Sequence, residues 1–358
     1  MERKIKKMLG LILAGAVILS AAGCSAKKDA GDSLLGDSSG TETSSSPAPV
    51  YVNPLTGEEG FEKDMLTIRP VAIMINNIQQ SLPQKGIGAA DIVYEMPVEG
   101  PITRLMAVYS DYKNIPDVGS VRSARPDYVE LAMPLNALYV HFGKSTQAET
   151  AMNKYQIDHI DGTAMANTAF YFDSQRAKTK SREHCYFIDA EHLQAGISKK
   201  GFSMELEEPL KPLFQFAGKE EEAIASEAAL AAVEVSAPLS GSTTATFTYN
   251  ETTKMYSKGE YGAPQMDTNL GKAAEVKNVF LMYTGVSLMD EKHKDIDLSK
   301  GIGYYISNGK AVSVTFKKTA VNGMIKVYGE DGEEIKVNPG RSWFCVAPAN
   351  YSSQLKLS

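Results

Sequence analysis

The chain has 358 residues, 43% hydrophobic and 22% charged, with 29 Gly, 16 Pro and 3 Cys, a composition that excludes a disordered chain and a disulfide-stapled miniprotein. At about 150 residues per domain the length allows two domains, each able to bury a core without metals or crosslinks. A formal charge of -6 and a pI near 5.6 exclude nucleic acid as an expected partner, because neutralising phosphates takes a clustered basic face.

Arg3, Lys4, Lys6 and Lys7 form a basic n-region, and Met8 to Leu19 an apolar h-region shorter than the about 20 residues that span a bilayer, so residues 1–23 are predicted to be a signal peptide. It ends Leu19-Ser20-Ala21-Ala22-Gly23-Cys24, and small residues ahead of one Cys resemble the lipobox of bacterial lipoproteins. That resemblance implies a diacylglyceryl group on Cys24, a lipid anchor and a place on the outer face of the cell membrane, with Ala21 standing where an aliphatic residue is usual. Without it the segment reads as a plain secretory signal. Removing residues 1–23 takes away four bases and one acid, leaving 33 Lys+Arg against 42 Asp+Glu and a mature charge of -9. Residues 24–60 are predicted as the lipidated Cys and a disordered tether; between 25 and 50 only Leu34 and Leu35 are large and aliphatic, too little to offset the entropy of ordering.

Strand-forming runs follow at Val71 to Ile75, Asp91 to Glu95, Ile102 to Tyr109 and Ala137 to His141. Helical patterns sit among and after them: Pro126 to Met133 behind the N-cap candidate Ser123, Ala148 to Tyr155 behind Ser145, and Ala190 to Lys200 from Asp189 to a stop at Gly201. With Glu99 and Gly100 as a two-residue hairpin loop, Glu95 falls opposite Arg104 and Asp91 opposite Val108. Residues 67–205 thus read as an N-terminal mixed α/β-sheet domain. A connector follows at 206–238, whose Glu/Ala-rich stretch Lys219 to Ala232 reads as a link or a lone helix. Residues 239–350 read as a smaller β-rich domain, in which Asn308-Gly309 marks a hairpin whose central residues both need positive φ. Val312, Val314 and Phe316 share a face there, and a loop at Glu330-Asp331-Gly332 sets Val327 opposite Ile335. The predicted class is α+β.

Cys185 and Cys345 fall on opposite sides of the predicted domain boundary and read as lone buried thiols rather than a bridge. The five His show no metal-ligand spacing, and the nucleotide and hydrolase motifs are missing from the sequence, so neither metal nor cofactor is expected. The most informative segment is Gly119-Ser-Val-Arg122-Ser-Ala-Arg125-Pro-Asp127. Free backbone N–H groups at a helix start, beside Arg122, Ser123 and Arg125 and joined by Arg104, would suit a carboxylate or phosphate; alternatively the arginines pair with Asp91, Glu99, Asp111 or Asp127 and clamp helix to sheet. Tyr94, Tyr109, Tyr128, Tyr139, Tyr171 and Phe172 suit either a saccharide platform or a core and its rim.

At RPVAIMINN (69–77), ADIVYEMPVEGPITRLMAVYSD (90–111), VGSVRSARPDYVELA (118–132) and ALYVHFGKS (137–145) the chain resembles the YerB-like lipoproteins of Gram-positive bacteria. The resemblance implies an exported α+β protein joining two domains of unassigned function, and carries over no catalytic residue. It would place Trp at Phe316 and Arg at Ser257-Lys258, and the sequence departs there. Three expectations follow: a module binding an anionic or saccharide ligand of the cell envelope, which includes an envelope polymer or protein as partner; an envelope hydrolase or transferase using Glu95, Asp127 or Asp173 as acid/base with His141 or His184 assisting; and a protein-interaction scaffold using exposed strand edges of the C-terminal domain.

Overall fold

A computed structural model describes residues 49–219, 221–224 and 229–358. The predicted signal peptide, Cys24 and the tether as far as residue 48 lie outside the described residues. Eleven strands build the central sheet: β1 Val71–Asn76, β2 Ile92–Pro97, β3 Thr103–Tyr109, β4 Leu138–His141, β5 His159–Asp161, β6 Leu230–Ala231, β7 Asn278–Thr284, β8 Lys300–Ser307, β9 Lys310–Lys317, β10 Lys326–Tyr328 and β11 Ser342–Pro348. Their order is β6-β9-β8-β7-β11-β2-β3-β1-β4-β5, with β10 also on β9. β1, β4 and β5 run parallel to one another.

Three helices matter for the site: α1 Pro126–Ala132, α2 Thr146–Tyr155 and α3 Ala190–Lys200. Ser145 Oγ accepts from Ala148 N at 3.1 Å to start α2, Asp189 accepts from His192 N at 2.9 Å to start α3, and Gly201 at φ 69° ends α3, the cap chemistry that the sequence pattern pointed to. Both sheet faces are covered, which is why β1 is apolar almost throughout and buried at every position. On one face Ile73, Val93, Leu105, Val279 and Trp343 pack with α3 residues Leu193 and Ile197 and with a second sheet, whose Phe247 and Tyr256 come from strands Thr244–Asn250 and Met255–Glu260. On the other face Met74, Tyr94, Met106 and Phe344 pack with Tyr128 and Val129 of α1 and Met152 of α2.

The α+β class with a β-rich C-terminal part stands, and in three dimensions the N-terminal and C-terminal parts share one sheet. β11 lies between β2 and β7, parallel to both, so residues before 205 and after 239 complete one sheet inside one compact unit, Pro49–Ser358. The connector is woven into that unit: Gln215–Phe216 pairs with Lys336–Val337, β6 pairs with β9, and the described part of Lys219 to Ala232 contains no helix. The predicted tether also ends earlier than residue 60. Asn53 donates to Asp91 and Ser110 at 3.0 Å each, and Leu55 is fully buried; one aliphatic side chain in a sealed pocket and satisfied polar groups hold the segment.

The β2–β3 hairpin corrects the expected register by one residue. Pro97 pairs Thr103, so Glu95 lies opposite Leu105 and Arg104 opposite Met96, while Asp91 N donates to Val108 O at 2.9 Å. A loop one residue longer than assumed sends Glu95 and Arg104 to opposite faces. The β8–β9 turn is as predicted, with Asn308 at φ 52° and Gly309 at φ 74°, and Ile335 N donates to Val327 O at 3.0 Å. Cys185 and Cys345 are free and buried. Tyr94, Tyr109, Tyr128 and Tyr139 are core, which removes them from any saccharide platform; Tyr171 and Phe172 are half-buried.

Candidate functional site

The parallel strands β1, β4 and β5 end at Asn76, His141 and Asp161, and in sheets of this kind the crevice outside the carboxyl ends is where ligands bind. Here the segment 120–125 is laid across those ends. Asn76 N donates to Ser120 O at 2.9 Å, Arg122 N to Met74 O at 3.0 Å, Phe142 N to Arg122 O at 3.0 Å and Ala124 N to Gly143 O at 3.0 Å. Asp161 anchors the neighbouring turn, accepting from Gly143 N at 3.0 Å, Thr163 N at 2.9 Å and Lys144 Nζ at 2.9 Å; burial opposes its ionisation, but these donors and nearby His141 hold its carboxyl well below the usual range. β3 begins at the same end, since Arg104 lies opposite Asn76, and the Glu99 hairpin tip reaches it too.

Two guanidinium groups therefore meet one carboxylate, with a third nearby. Glu99 Oε1 accepts from Arg104 Nη2 at 2.8 Å and from Arg125 Nη2 at 2.6 Å, and Glu99 Oε2 accepts from Arg125 Nε at 2.9 Å. Arg104 Nη1 and Arg125 Nη1 each also reach a backbone carbonyl at 2.7 Å, those of Ser123 and Ala124. Arg122 stands apart: Nη2 reaches the exposed Glu183 at 3.2 Å, while the buried Nε has no partner among the described residues. Burial pushes Glu99 up, but Arg104 and Arg125 outweigh it and the carboxyl ends below its ordinary value. Arg104 is lowered to about 10, first by burial and then by repulsion from Arg125 and Arg122, against the pull of Glu99. The cluster carries more positive than negative charge.

Ser123 is not the N-cap of α1. Arg125 occupies that position without a capping side chain, and Ser123 Oγ donates instead to Phe142 O at 3.2 Å. The helix is too short, at 7 residues, to supply the anion-binding N-terminus envisaged from the sequence; side chains and not the helix end carry the charge. Of the four partners considered for the arginines, only Glu99 is used, by Arg125 and Arg104.

The five acid/base candidates do not converge. His184 is at the crevice, its Nδ1 2.9 Å from Asn76 Nδ2, and burial lowers its pKa. His141 Nε2 faces His159 Nδ1 at 2.9 Å inside the fold, and burial lowers it to about 4. Asp127 accepts from Ile296 N at 3.1 Å, away from the arginines, and burial raises it to about 7. Asp173 accepts from Gln175 N and Arg176 N to close a turn, 4.0 Å from Lys85.

Glu95 belongs to a buried network that the sequence reading missed. Lys258 Nζ lies 3.4 Å from Glu95 and 3.1 Å from Glu260, Trp343 Nε1 donates to Glu95 at 3.0 Å, and Asn77 Nδ2 donates to Glu95 at 3.0 Å and to Glu260 at 2.9 Å. Gln84 and Gln265 donate to Asn77 Oδ1. Lys258, Glu95 and Glu260 are all buried. Burial and the Glu95 charge raise Glu260 to about 8 despite Lys258, while the two carboxylates overcome the desolvation that would lower Lys258 and leave it raised. The one signal in the sequence was Lys258-Gly-Glu260, whose spacing puts both side chains on one strand face.

Two family models match, described as "Protein of unknown function (DUF3048)": the N-terminal domain over residues 55–203 and the C-terminal domain over 235–344. A protein of Bacillus subtilis (strain 168) named "Putative lipoprotein YerB" is 29% identical over 303 residues, covering 82% of this chain and 86% of its own. The crystal structure of the YerB protein from Bacillus subtilis matches with a TM-score of 0.74 and 24% identity over 86% of this chain and 99% of that one.

Proposed function

The chain belongs to the YerB-like family, and from that premise we propose that it is a lipoprotein, anchored through Cys24 on the outer face of the cell membrane, that holds an anionic ligand of the cell envelope in the arginine-lined crevice. The observation that carries this reading is the charge imbalance: Arg104 and Arg125 share Glu99, and Arg122 offers a buried Nε without a partner among the described residues. A phosphate or carboxylate oxygen would supply the missing acceptor, and guanidinium donors bind such oxygens in a fixed fork. Arg122 is then the ligand contact, with Arg104 and Arg125 supplying field from behind. The relative's name supports the anchor, and the Leu19–Cys24 run supports the lipidated residue.

Inorganic phosphate is the probe. Titrated against the full chain it raises the thermal midpoint, since a ligand that binds only the folded state stabilises it by mass action, and Arg122→Gln abolishes that rise. An unchanged wild-type midpoint at saturating phosphate, or an equal rise in Arg122→Gln, overturns the binding site. The anchor has its own test: Cys24→Ala moves the protein from membrane to medium, and unchanged membrane association refutes the lipid.

A further inference from the structure

A cleft of about 400 Å³ opens in the other half of the central sheet, away from the arginines, over β7, β8 and β9. Its lining includes Tyr283, Ile302, Tyr304, Ser313, Ser352 and Glu330. The volume falls in the range of small-molecule sites. Tyr283 is 2% exposed, yet its hydroxyl has no hydrogen-bond partner among the described residues. Buried phenol hydroxyls nearly always find a partner, so this one points to a group that the free protein does not supply. At the mouth Ile302 leaves 57% of its surface in solvent, although neighbouring apolar side chains of β7 and β8 are buried. Ser313 lies directly across from Tyr304 in the β8–β9 pairing, which sets a hydroxyl beside a half-buried aromatic ring. Among the described residues Glu330 is the one charged residue of the lining.

We infer that this cleft binds a neutral saccharide unit. A sugar ring presents an apolar C–H face and a rim of hydroxyls, which match an aromatic and aliphatic floor bordered by Ser and Tyr hydroxyls. The Glu330 carboxylate accepts from sugar hydroxyls and repels an anionic ligand, so the cleft selects a chemistry opposite to that of the arginine crevice. The Tyr283 hydroxyl becomes satisfied only when a ligand hydroxyl or carbonyl fills the space beside it.

Saturation-transfer difference NMR on the full chain in detergent tests this, with fully N-acetylated chitotriose as the neutral probe. Transfer to the sugar protons is expected in wild type and in Arg122→Gln. Tyr283→Phe deletes an oxygen that bonds nothing among the described residues, so its thermal midpoint stays at the wild-type value or above, while binding weakens about 5-fold, the loss expected of one hydrogen bond. Tyr304→Ala weakens it further. Absence of transfer at millimolar sugar, or equal transfer in wild type, Tyr283→Phe and Tyr304→Ala, overturns the site. So does trilysine giving transfer that Glu330→Gln abolishes while the sugar gives none, which would make the cleft a basic-peptide site.

Discussion

Arg122 and Arg125 lie three positions apart in the chain and have different fates. Arg125 is buried and holds Glu99 through two bonds, whereas Arg122 pairs an exposed acid. A surface pair of the second kind contributes little, because water screens it and two side chains lose entropy in forming it. Arg122→Gln is therefore expected to change stability by less than about 1 kcal/mol. Glu99→Gln is the damaging change at this site: it leaves Arg104 and Arg125 buried together without a counter-charge, at a cost of roughly 3 kcal/mol. Phosphate should recover part of that loss. Denaturant unfolding of the two variants with and without phosphate checks both statements, and a Glu99→Gln protein as stable as wild type would mean that the arginines are solvated, not buried against one acid.

Among the elements, the strands owe their edges to backbone clearance as much as to side-chain pattern. Gly303 on β8 sits so close to β7 that a Cβ there would lie 1.8 Å from Leu281 O. A backbone atom cannot move aside as a flexible side chain can, so Gly303→Ala must break the β7–β8 ladder locally. A loss of about 3 kcal/mol is expected, the upper end of what overpacking typically costs, and it would read directly as a lower denaturant midpoint. Gly309 is required for a different reason: at φ 74° it completes the turn that joins β8 to β9. The tether and connector illustrate the limit of composition at this scale. Leu55, Leu213 and Phe214 are isolated apolar residues among turn formers, yet each is buried, because the surface that receives them comes from distant parts of the chain.

On the scale of the whole molecule, β11 and the buried Lys258 network bind the two halves. Glu95 is on β2, Asn77 follows β1, Trp343 is on β11, and Lys258 and Glu260 come from the second sheet. Asp267 adds a further tie, accepting from Gly86 N at 3.1 Å and Gly88 N at 2.8 Å. Calorimetry of the full chain should accordingly give one unfolding transition in which calorimetric and van't Hoff enthalpies agree; two resolved transitions would mean that the halves are independent. The network also sets a pH dependence. Glu260 is raised to about 8 in the fold, first by burial and then by Glu95, above an unfolded value of about 4.3. The folded state thus holds a proton that the unfolded state has lost, so this contribution is complete below about pH 4.3, falls as pH rises and is gone above about pH 8. Glu260→Gln should flatten the thermal midpoint between pH 7 and 8, while the fall below pH 7 persists through Asp127, which burial raises to about 7. An unchanged slope in the variant would show that Glu260 is ionised at neutral pH.

The sequence by itself determined the local features: the helix caps at Ser145, Asp189 and Gly201, the Asn308-Gly309 turn, the strand cores and the unpaired cysteines. Each depends on residues close in the chain or on an alternation that one segment carries alone. It also placed Arg122 and Arg125 on one short segment and named Arg104 with them, but their spacing alone carried no partner. Only the tertiary structure decided which acid Arg104 and Arg125 share, since a one-residue change in hairpin loop length sent Arg104 to Glu99 and Glu95 to the opposite face. The joining of the halves was likewise invisible. β11 completes a sheet begun some 250 positions earlier, and the partner of a buried strand or a buried Lys258 is chosen by the summed packing of two layers, a quantity that no single stretch of sequence contains.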